Sequence, residues 1–303
     1  MSLIRYDFRL VPQAAVRAAV QTAAAAVPPV AVEEEAGRYV LRADLPGVHY
    51  LKTIADVDGL QAAFQAGKRI AIVGGGYIGL EVAAVGAKRG LDVTVFEAMD
   101  RLMARAVSPV LSDFYAKEHE KAGVKLMLKT GVEAIEGTDH VTGIVAGGKS
   151  YPCDLVLVGI GVIPCQELAE AAGLGCTDGI VVDQNARTGD PHIWSAGDCT
   201  RHVGREGHEI RLECVQNAID QAKHAALSMM DKHKTYSEVP WFWSDQYDLK
   251  MQIAGLARPT DHLVLRGDPA ARKFAVFHLR DGAVAAVEAA VEPEVVAPCG
   301  GSP

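Results

Sequence analysis

The sequence lacks three features that would have indicated its class at once. No apolar run reaches the roughly 18 residues of a membrane-spanning helix, so we expect no membrane association. Acidic residues outnumber basic ones by 38 to 30, and the resulting net charge of −8 argues against binding to nucleic acid or to an anionic membrane. None of the six cysteines stands in a C-x-x-C pair or shows zinc-ligand spacing. We interpret them as reduced thiols and expect no bound metal, with a redox pair as the less favoured alternative.

The first 43 residues also lack a clear motif. An alanine-rich stretch predicts a helix over residues 17–27, ended by Pro28 and Pro29. The prolines and glutamates that follow dilute the apolar character too much for a secretion signal. We therefore expect a cytoplasmic protein, in which residues 1–43 form an unassigned N-terminal segment.

The clearest positive signal is the stretch KRIAIVGGGYIGLE, where an apolar strand leads into the pattern G-x-G-x-x-G. Gly74 allows a tight turn, Gly76 lets the backbone approach a pyrophosphate, and Gly79 lets the next helix pack close to the strand. Free N–H groups at the helix start would hold the phosphates. Tyr77 and Ile78 begin this helix and belong to the same predicted dinucleotide site. The alternative is a glycine turn that serves only packing.

Glu97 bears on the choice of dinucleotide because it ends the next predicted strand, where the ribose-binding acid belongs. A carboxylate accepts hydrogen bonds from two ribose hydroxyls but repels a 2′-phosphate, which favours NAD(H) over NADP(H). Arg101 and Arg105 follow closely, and an arginine can accommodate a 2′-phosphate. The alternative roles of these arginines are a pyrophosphate contact, for which we include Arg105 in the site, or a solvated helix start.

The order of predicted elements indicates an α/β protein. The order β-α-β followed by β-α-β-β-β is typical of a doubly wound, Rossmann-like sheet with an antiparallel addition. Changes in composition and in predicted secondary structure place domain boundaries near residues 44, 163 and 236. Further predictions are helices over residues 77–89 and 109–122, a strand over HIWSAGDC (residues 192–199) and a hairpin turn at Asp281-Gly282.

Four stretches together resemble a known family: VGGGYIGLEVAA, DLVLVGIGVIP, DPHIWSAGDC and VPWFWSDQYDLKMQIAGL. They are similar to the FAD-dependent, putidaredoxin reductase-like ferredoxin and rubredoxin reductases of bacterial oxygenase systems, within the pyridine nucleotide–disulfide oxidoreductase superfamily. The resemblance covers roughly residues 44–290. It implies a Rossmann-like NAD(H)-binding domain over residues 44–163, the C-terminal half of a second Rossmann-like, FAD-binding domain over 164–235, and an α+β C-terminal reductase (interface) domain over 236–303.

The resemblance also implies roles for single residues. Asp198 would face the ribityl and pyrophosphate region of FAD, and the backbone of Val215 would contact the pyrimidine edge of the flavin. Trp243 would lie beside the isoalloxazine on the side of the electron acceptor. Glu81 would lie near the nicotinamide, and Gly161 would leave room below it. Each of three residues also has a purely structural alternative. Asp198 would be an ordinary acid at a strand end, and Glu81 would complement the helix dipole. Trp243 would be a core tryptophan.

The implied activity is hydride transfer from NADH to FAD, followed by single-electron transfer to a ferredoxin or rubredoxin-type protein. Hydride transfer requires no side-chain acid or base, so we expect no obligatory catalytic residue. We expect neither nucleic acid nor a membrane as a partner, and we leave open whether the protein forms a homodimer. The family's first glycine motif, which holds the ADP half of FAD, has no counterpart in residues 1–43, so we expect this chain to hold FAD weakly or not at all. The alternatives are a truncated, flavin-free NAD-binding or interaction protein and, with less support, a disulfide reductase.

Overall fold

The computed structural model describes residues 30–35, 38–43, 45–232 and 235–291. The helix predicted over residues 17–27 lies outside these ranges. The helices are α1 (Ile54–Ala63), α2 (Tyr77–Lys88), α3 (Pro109–Lys121), α4 (Glu167–Ala171) and α5 (Val215–Met229). The first ten strands are β1 (Val30–Glu35), β2 (Arg38–Ala43), β3 (Val48–His49), β4 (Arg69–Val73), β5 (Asp92–Phe96), β6 (Lys125–Met127), β7 (Val132–Gly137), β8 (Val141–Ala146), β9 (Lys149–Pro152) and β10 (Leu155–Val158). The remaining strands are β11 (Ile180–Val181), β12 (Thr200–Val203), β13 (Glu209–Ile210), β14 (Trp241–Gln246), β15 (Leu249–Gly255), β16 (His262–Asp268), β17 (Lys273–Arg280) and β18 (Ala283–Val291).

A parallel five-stranded sheet with the order β3-β10-β4-β5-β6 forms the centre of the first half. Its central strands are short apolar runs, and alternate side chains of β4 and β10 are buried in two different apolar clusters. From β4 the chain continues outward to β5 and β6, whereas β10 lies on the other side of β4. The order therefore reverses between β4 and β10, and ligands of open α/β sheets bind outside the carboxyl ends of the strands at such a point.

The helix bounds follow from local sequence signals. Helix α3 begins after Ser108, whose hydroxyl accepts a hydrogen bond from the Leu111 N–H, and its first residue is Pro109. Helix α2 ends at Lys88, and Gly90 follows with φ of +79°, a conformation that glycine adopts without strain. Both helices are one residue shorter than predicted, which is within the usual fraying of helix ends.

Three smaller sheets and one large antiparallel sheet complete the described chain. Strands β1 and β2 pair with each other, β7-β8-β9 form the predicted antiparallel addition, and β11-β12-β13 form a small mixed sheet. The C-terminal sheet has the order β14-β15-β18-β17-β16 and is antiparallel throughout. The turn between β17 and β18 is Asp281-Gly282, with φ of +52° and +79°, as the hairpin prediction requires.

The C-terminal sheet packs against α2 and α3 through a shared apolar core. Leu80 of α2 and Leu111 and Tyr115 of α3 are fully buried there, together with Met251 of β15 and Val276 of β17. The regular structure of residues 235–291 is all β, and its helical neighbours come from the preceding part of the chain. The predicted α/β class is confirmed, with a parallel sheet in the first half and an antiparallel sheet at the C-terminal end of the described chain.

The strand predicted over residues 192–199 is wrong. Trp194 makes only an isolated bridge to Arg187, and Gly197 has φ of +89°. The N–H groups of this segment bond to a loop and a helix instead, Ser195 to the Ala186 carbonyl and Gly197 to Gln221 Oε1 at 2.8 Å. The alternating pattern of His-Ile-Trp was a local strand signal without a neighbouring strand to pair with.

Within the described ranges, no helix combines the length and the apolar character needed to cross a membrane.

Candidate functional site

The glycine turn lies at the point where the strand order reverses, and two of its glycines are required by the backbone itself. Gly74 has φ of +107°, and a Cβ there would lie 2.4 Å from the Gly159 carbonyl oxygen at the end of β10. A Cβ on Gly79 would lie 2.2 Å from the Gly74 carbonyl oxygen and 3.3 Å from Ile72 Cγ2. These contacts agree with the turn and packing roles predicted for the first and third glycines.

The second glycine differs from the other two. Gly76 is the N-cap of α2, it makes no side-chain cap, and a Cβ there would meet no atom within 4 Å. The space in front of the helix N-terminus is therefore open at this position, as close approach of a pyrophosphate requires. The residues present fit a bound dinucleotide phosphate.

The first two residues of α2 face different surroundings. The ring of Tyr77 packs on Phe242 of β14, with 4.4 Å between ring centroids. Burial, and secondarily the charge of Glu288, raises the pKa of the Tyr77 hydroxyl. Ile78 is 44% exposed. The structure thus assigns Tyr77 a packing contact with the C-terminal sheet, whereas Ile78 remains at the surface beside the turn.

Glu97 is bonded to the glycine turn by its own carboxylate. Its Oε2 accepts from the Gly75 N–H at 2.7 Å, and its Oε1 accepts from the Met99 N–H at 2.7 Å. The side chain is half-buried at the end of β5, one strand away from Gly74. Each carboxylate oxygen has a second lone pair, so the same group can accept ribose hydroxyls while it holds the turn.

The two arginines after β5 have different surroundings. The Arg101 guanidinium donates to the carbonyls of Val107 at 2.8 Å and Ala104 at 2.7 Å, so it closes the loop that leads into α3. Arg105 is exposed, and the described residues provide it with no hydrogen bond or ion pair. Arg105 is therefore the cation of this loop that is available to a phosphate, and Arg101 is a loop anchor.

Glu81 and Gly161 lie on different elements, helix α2 and the segment after β10, and differ in their surroundings. Glu81, one helical turn after Tyr77, is half-buried against β14, where its Oε1 accepts from Ser244 Oγ at 2.6 Å. Burial raises the pKa of Glu81, the Ser244 bond opposes this, and the charge of Asp245 adds to the rise. Gly161 follows β10, is exposed, has φ of +116°, and would have no atom within 4 Å of an added Cβ.

The residues predicted to face a flavin lie on three segments that meet. Asp198 is exposed in the turn before β12, and Val215, 56% exposed, is the first residue of α5. The turn contacts α5 where a Cβ on Gly197 would lie 3.5 Å from Ala218 Cβ. The N-cap of α5, Cys214, makes no side-chain cap, and burial raises the pKa of its thiol.

Strand β14 joins this group through its tryptophans. The Trp241 N–H donates to Gln216 Oε1 in the first turn of α5 at 3.2 Å. Trp243 is 36% exposed and stacks on Trp241, with 5.1 Å between ring centroids and 26° between the planes. The segments that carry Asp198, Val215 and Trp243 thus meet at α5, and a shared role of these residues in one site stays a prediction.

Two buried polar groups were missed by the sequence analysis. The carboxylate of Glu288 in β18 accepts from the Ser108 N–H at 2.8 Å and from Ser108 Oγ at 2.5 Å, and it lies 3.1 Å from His278 Nε2. A second group runs from Glu81 through Ser244 and Gln246 to helix α3. Local sequence gave no clear signal, because Ser244 and Gln246 occupy alternate positions of β14, a pattern that ordinarily indicates a solvent-facing side, yet both are buried.

The charged stretch before α5 is a set of ion pairs. Arg201 pairs with Glu209 at 2.9 Å, and the Arg201 and Arg211 guanidinium groups both lie within 3.6 Å of Asp178. Glu206 accepts from Arg280 of β17 at 2.6 Å. Arg201 and Arg211 are thus both paired with neighbouring acids.

Comparison with known proteins identifies two family models that match this chain. A family model described as pyridine nucleotide-disulphide oxidoreductase matches residues 36–225. The chain belongs to this family. A second model, described as reductase C-terminal, matches residues 241–298, which contain the sheet β14-β15-β18-β17-β16. The family resemblance expected from the four sequence stretches is confirmed.

Relatives within the pyridine nucleotide-disulphide oxidoreductase family include a probable ferredoxin reductase, CtmF, of Castellaniella defragrans, 50% identical over 82% of this chain and 62% of the relative. Putidaredoxin reductase CamA of Pseudomonas putida is 39% identical over 80% of this chain and 59% of the relative. The crystal structure of a ferredoxin reductase for the CYP199A2 system from Rhodopseudomonas palustris superposes with a TM-score of 0.79 at 42% identity, over 82% of this chain and 62% of that one. The chain therefore spans about 60% of the length of the relatives that it matches.

Proposed function

We propose that this protein is an NADH-dependent flavoprotein reductase. Electrons pass from NADH through FAD to a small iron–sulfur protein of ferredoxin or rubredoxin type in an oxygenase system. The observation that carries the proposal is the glycine turn at the reversal of strand order, with Glu97 at the next strand end, in a chain of this family. Relatives named ferredoxin reductase and putidaredoxin reductase support the acceptor class.

For the nucleotide we propose a site made of the turn and its flanks. The N–H groups of α2 beside Gly76 would hold the pyrophosphate, and Glu97 would accept the adenosine ribose hydroxyls. Arg105 would approach the phosphates from the following loop. Tyr77, Ile78, Glu81 and Gly161 would border the nicotinamide half, with Gly74 and Gly79 shaping the turn.

For the flavin we propose a site formed by Asp198, Val215 and Trp243. Asp198 would accept a hydroxyl of the ribityl chain, and the uncapped N-terminus of α5 would place backbone N–H groups against the flavin edge. Trp243 would cover the side on which the acceptor docks. A bound flavin supplies the two-electron to one-electron conversion, and the chain supplies position and electrostatics.

Domain division and location belong to the same proposal. We infer the NAD(H) part over residues 44–163, the FAD part over 164–235 and the reductase part over 236–303, with residues 1–43 unassigned. A cytoplasmic location is inferred because the proposed reaction uses NADH. A homodimer stays a prediction.

The decisive experiment is spectroscopic and kinetic. The purified chain is mixed with FAD and NADH, bleaching of the flavin band is recorded without oxygen, and a ferredoxin is then added to follow its reduction. The proposal expects NADH to reduce the flavin and the flavin to reduce the ferredoxin. NADH binding without any flavin binding would favour a flavin-free NAD-binding protein. Reduction of a disulfide substrate in place of the ferredoxin would favour a disulfide reductase.

A further inference from the structure

A continuous chain of hydrogen bonds leads from Glu81 of α2 along the inward face of β14 to His119 of α3. Ser244 Oγ lies 2.6 Å from Glu81 Oε1, and Gln246 Nε2 lies 3.2 Å from Ser244 Oγ. Gln246 Oε1 lies 2.9 Å from His119 Nε2, and the Tyr247 hydroxyl lies 2.8 Å from His119 Nδ1. The chain therefore joins α2, β14 and α3 across four contacts.

The inner members of this chain are shielded from solvent. Ser244, Gln246 and His119 are each 1% exposed or less. Burial lowers the pKa of His119, which favours its neutral form, although its bond to Gln246 and the nearby Glu118 oppose the shift. A neutral imidazole has one N–H donor and one bare nitrogen acceptor, so its tautomer must match both neighbours.

The charge of Glu81 determines the direction of every bond in the chain. An ionised carboxylate can only accept, so Ser244 Oγ must donate to it and must accept from the Gln246 amide. The Gln246 oxygen is then left to accept from His119, which places the imidazole proton on Nε2. His119 Nδ1 is left bare and accepts from the Tyr247 hydroxyl. All four bonds therefore point toward Glu81.

We propose that Ser244, Gln246, His119 and Tyr247 are positioning residues that hold Glu81 as an oriented carboxylate beside the nicotinamide site. The proposal deepens the proposed function and rests on it for the role of Glu81. An oriented carboxylate there would hold a hydrogen-bond donor of the nicotinamide and would favour a positive charge on its ring. The orientation is set by the C-terminal sheet, at a distance from the glycine turn.

A protonated Glu81 would permit the opposite arrangement. A carboxylic acid can donate to Ser244, the Gln246 amide can then turn over, and His119 can carry its proton on Nδ1 and donate to Tyr247. The tautomer of His119 therefore depends on the charge of Glu81. The two residues are coupled through Ser244 and Gln246, which do not themselves titrate.

The charged groups around the chain are few and can be tested separately. The negative charge of Asp245, an exposed residue of β14, opposes the ionisation of Glu81. Glu118 of α3 adjoins His119, pairs with Lys121 at 2.5 Å and lies 3.1 Å from the Arg272 guanidinium, which also pairs with Asp248. The two acids and two bases of this second group neutralise one another, so that Asp245 is the principal charge opposing an ionised Glu81.

The first test measures the dissociation constant of NADH between pH 5.5 and 8.5 for the wild-type chain and for Ser244→Ala. Loss of a hydrogen bond to a charged group should change the protonation constant of Glu81 about tenfold, which moves the midpoint of the profile up by about one pH unit. Ser244→Thr keeps the hydroxyl and should restore the wild-type midpoint. Ser228→Ala removes a buried hydroxyl bonded to Trp194 at the far end of α5 and should leave the profile unchanged.

The second test needs no nucleotide. Nitrogen-15 spectra of the imidazole, assigned with a His119→Gln variant, should show the Nε2–H tautomer in the wild-type chain near neutral pH. A midpoint that is identical in Ser244→Ala and wild type, or a Nδ1–H tautomer, would overturn the inference. If NADH does not bind at all, the proposed function fails, and the tautomer still decides whether the chain is directed toward Glu81.

Discussion

The nucleotide turn (residues 74–79 with Glu97) and the flavin-side face (Asp198, Val215 and Trp243) differ in what holds their side chains. In the turn, Glu97 is bonded to the Gly75 N–H, and Cβ atoms on Gly74 or Gly79 would overlap backbone oxygens. On the flavin-side face, all three residues are exposed, and the described residues offer Asp198 no hydrogen bond. The turn is therefore specified by the fold itself, whereas the flavin-side residues are positioned only by the segments that carry them.

This difference teaches how to interpret substitutions in the two regions. Substitutions in the nucleotide turn should alter folding and binding together, except at a position such as Gly76 that faces open space. Changes on the flavin-side face should alter ligand binding alone. The following predictions run from the largest expected effect to the smallest.

Glu288→Ala should be the most damaging, since it removes the buried carboxylate that bonds Ser108 at the start of α3 and lies beside His278. Leaving these buried groups without their partner should lower the free energy of unfolding by about 3 kcal/mol. Urea denaturation measures this change. Glu120→Ala, an exposed acid of the same helix α3, is the control and should stay within about 0.5 kcal/mol of wild type. Equal effects of the two variants would contradict the role of Glu288.

Gly76→Val should separate binding from folding within the turn. The valine side chain would enter the open space in front of α2, so that NADH affinity should fall by roughly 100-fold, equivalent to about 2.7 kcal/mol, while the thermal midpoint changes little. Titration with NADH and a thermal melt measure the two quantities. Gly79→Ala is the matched contrast, because its Cβ overlaps the backbone and should reduce stability. NADH affinity that survives in Gly76→Val would show that the turn serves packing only.

Glu97→Gln should narrow the preference for NADH over NADPH by about tenfold, equivalent to about 1.4 kcal/mol. The amide keeps an acceptor for the Gly75 N–H but no longer repels a 2′-phosphate, and Arg105 is free to pair with that phosphate. Parallel titrations with both nucleotides measure the ratio. Arg105→Ala in the Glu97→Gln background should lower NADPH affinity again, and a ratio unchanged from wild type in Glu97→Gln would contradict the assigned role.

Asp198→Asn should have the smallest effect on folding, within about 0.5 kcal/mol, because the side chain is exposed and has no partner in the described chain. The proposed flavin site expects FAD affinity to fall several-fold, measured by quenching of flavin fluorescence. Asp113→Asn, an exposed acid of α3, should change neither quantity. A clear loss of stability in Asp198→Asn would end the distinction between the two regions.

Local signals made the first half of the fold predictable. Strand β4, helix α2 and strand β5 follow from an apolar run, a glycine pattern and a second apolar run within one short stretch, and Gly90 marks the helix end. The same locality made the turn role of Gly74, the packing role of Gly79 and the placement of Glu97 at the end of β5 predictable. The hairpin at Asp281-Gly282 was equally local.

Contacts between distant parts of the chain were not predictable. The bond of His119 to Gln246 and that of Ser108 to Glu288 join residues far apart in sequence, and neither residue type signals its partner. The strand prediction around Trp194 was wrong for a related reason. A strand needs a neighbouring strand to pair with, and a local alternating pattern cannot show whether one is present. The engagement of Arg101 with two loop carbonyls likewise depended on the path of the loop.

The close approach of Gly74 to Gly159 has a consequence for protein design. The carbonyl of Gly159 occupies the place where any side chain on Gly74 would lie, so no change of neighbouring side chains could make room for one. A grafted nucleotide turn would therefore not work as a short insert between one strand and one helix. Its smallest transferable unit would also include the end of β10, because the shape of the turn is shared between two strands that are adjacent in space and remote in sequence.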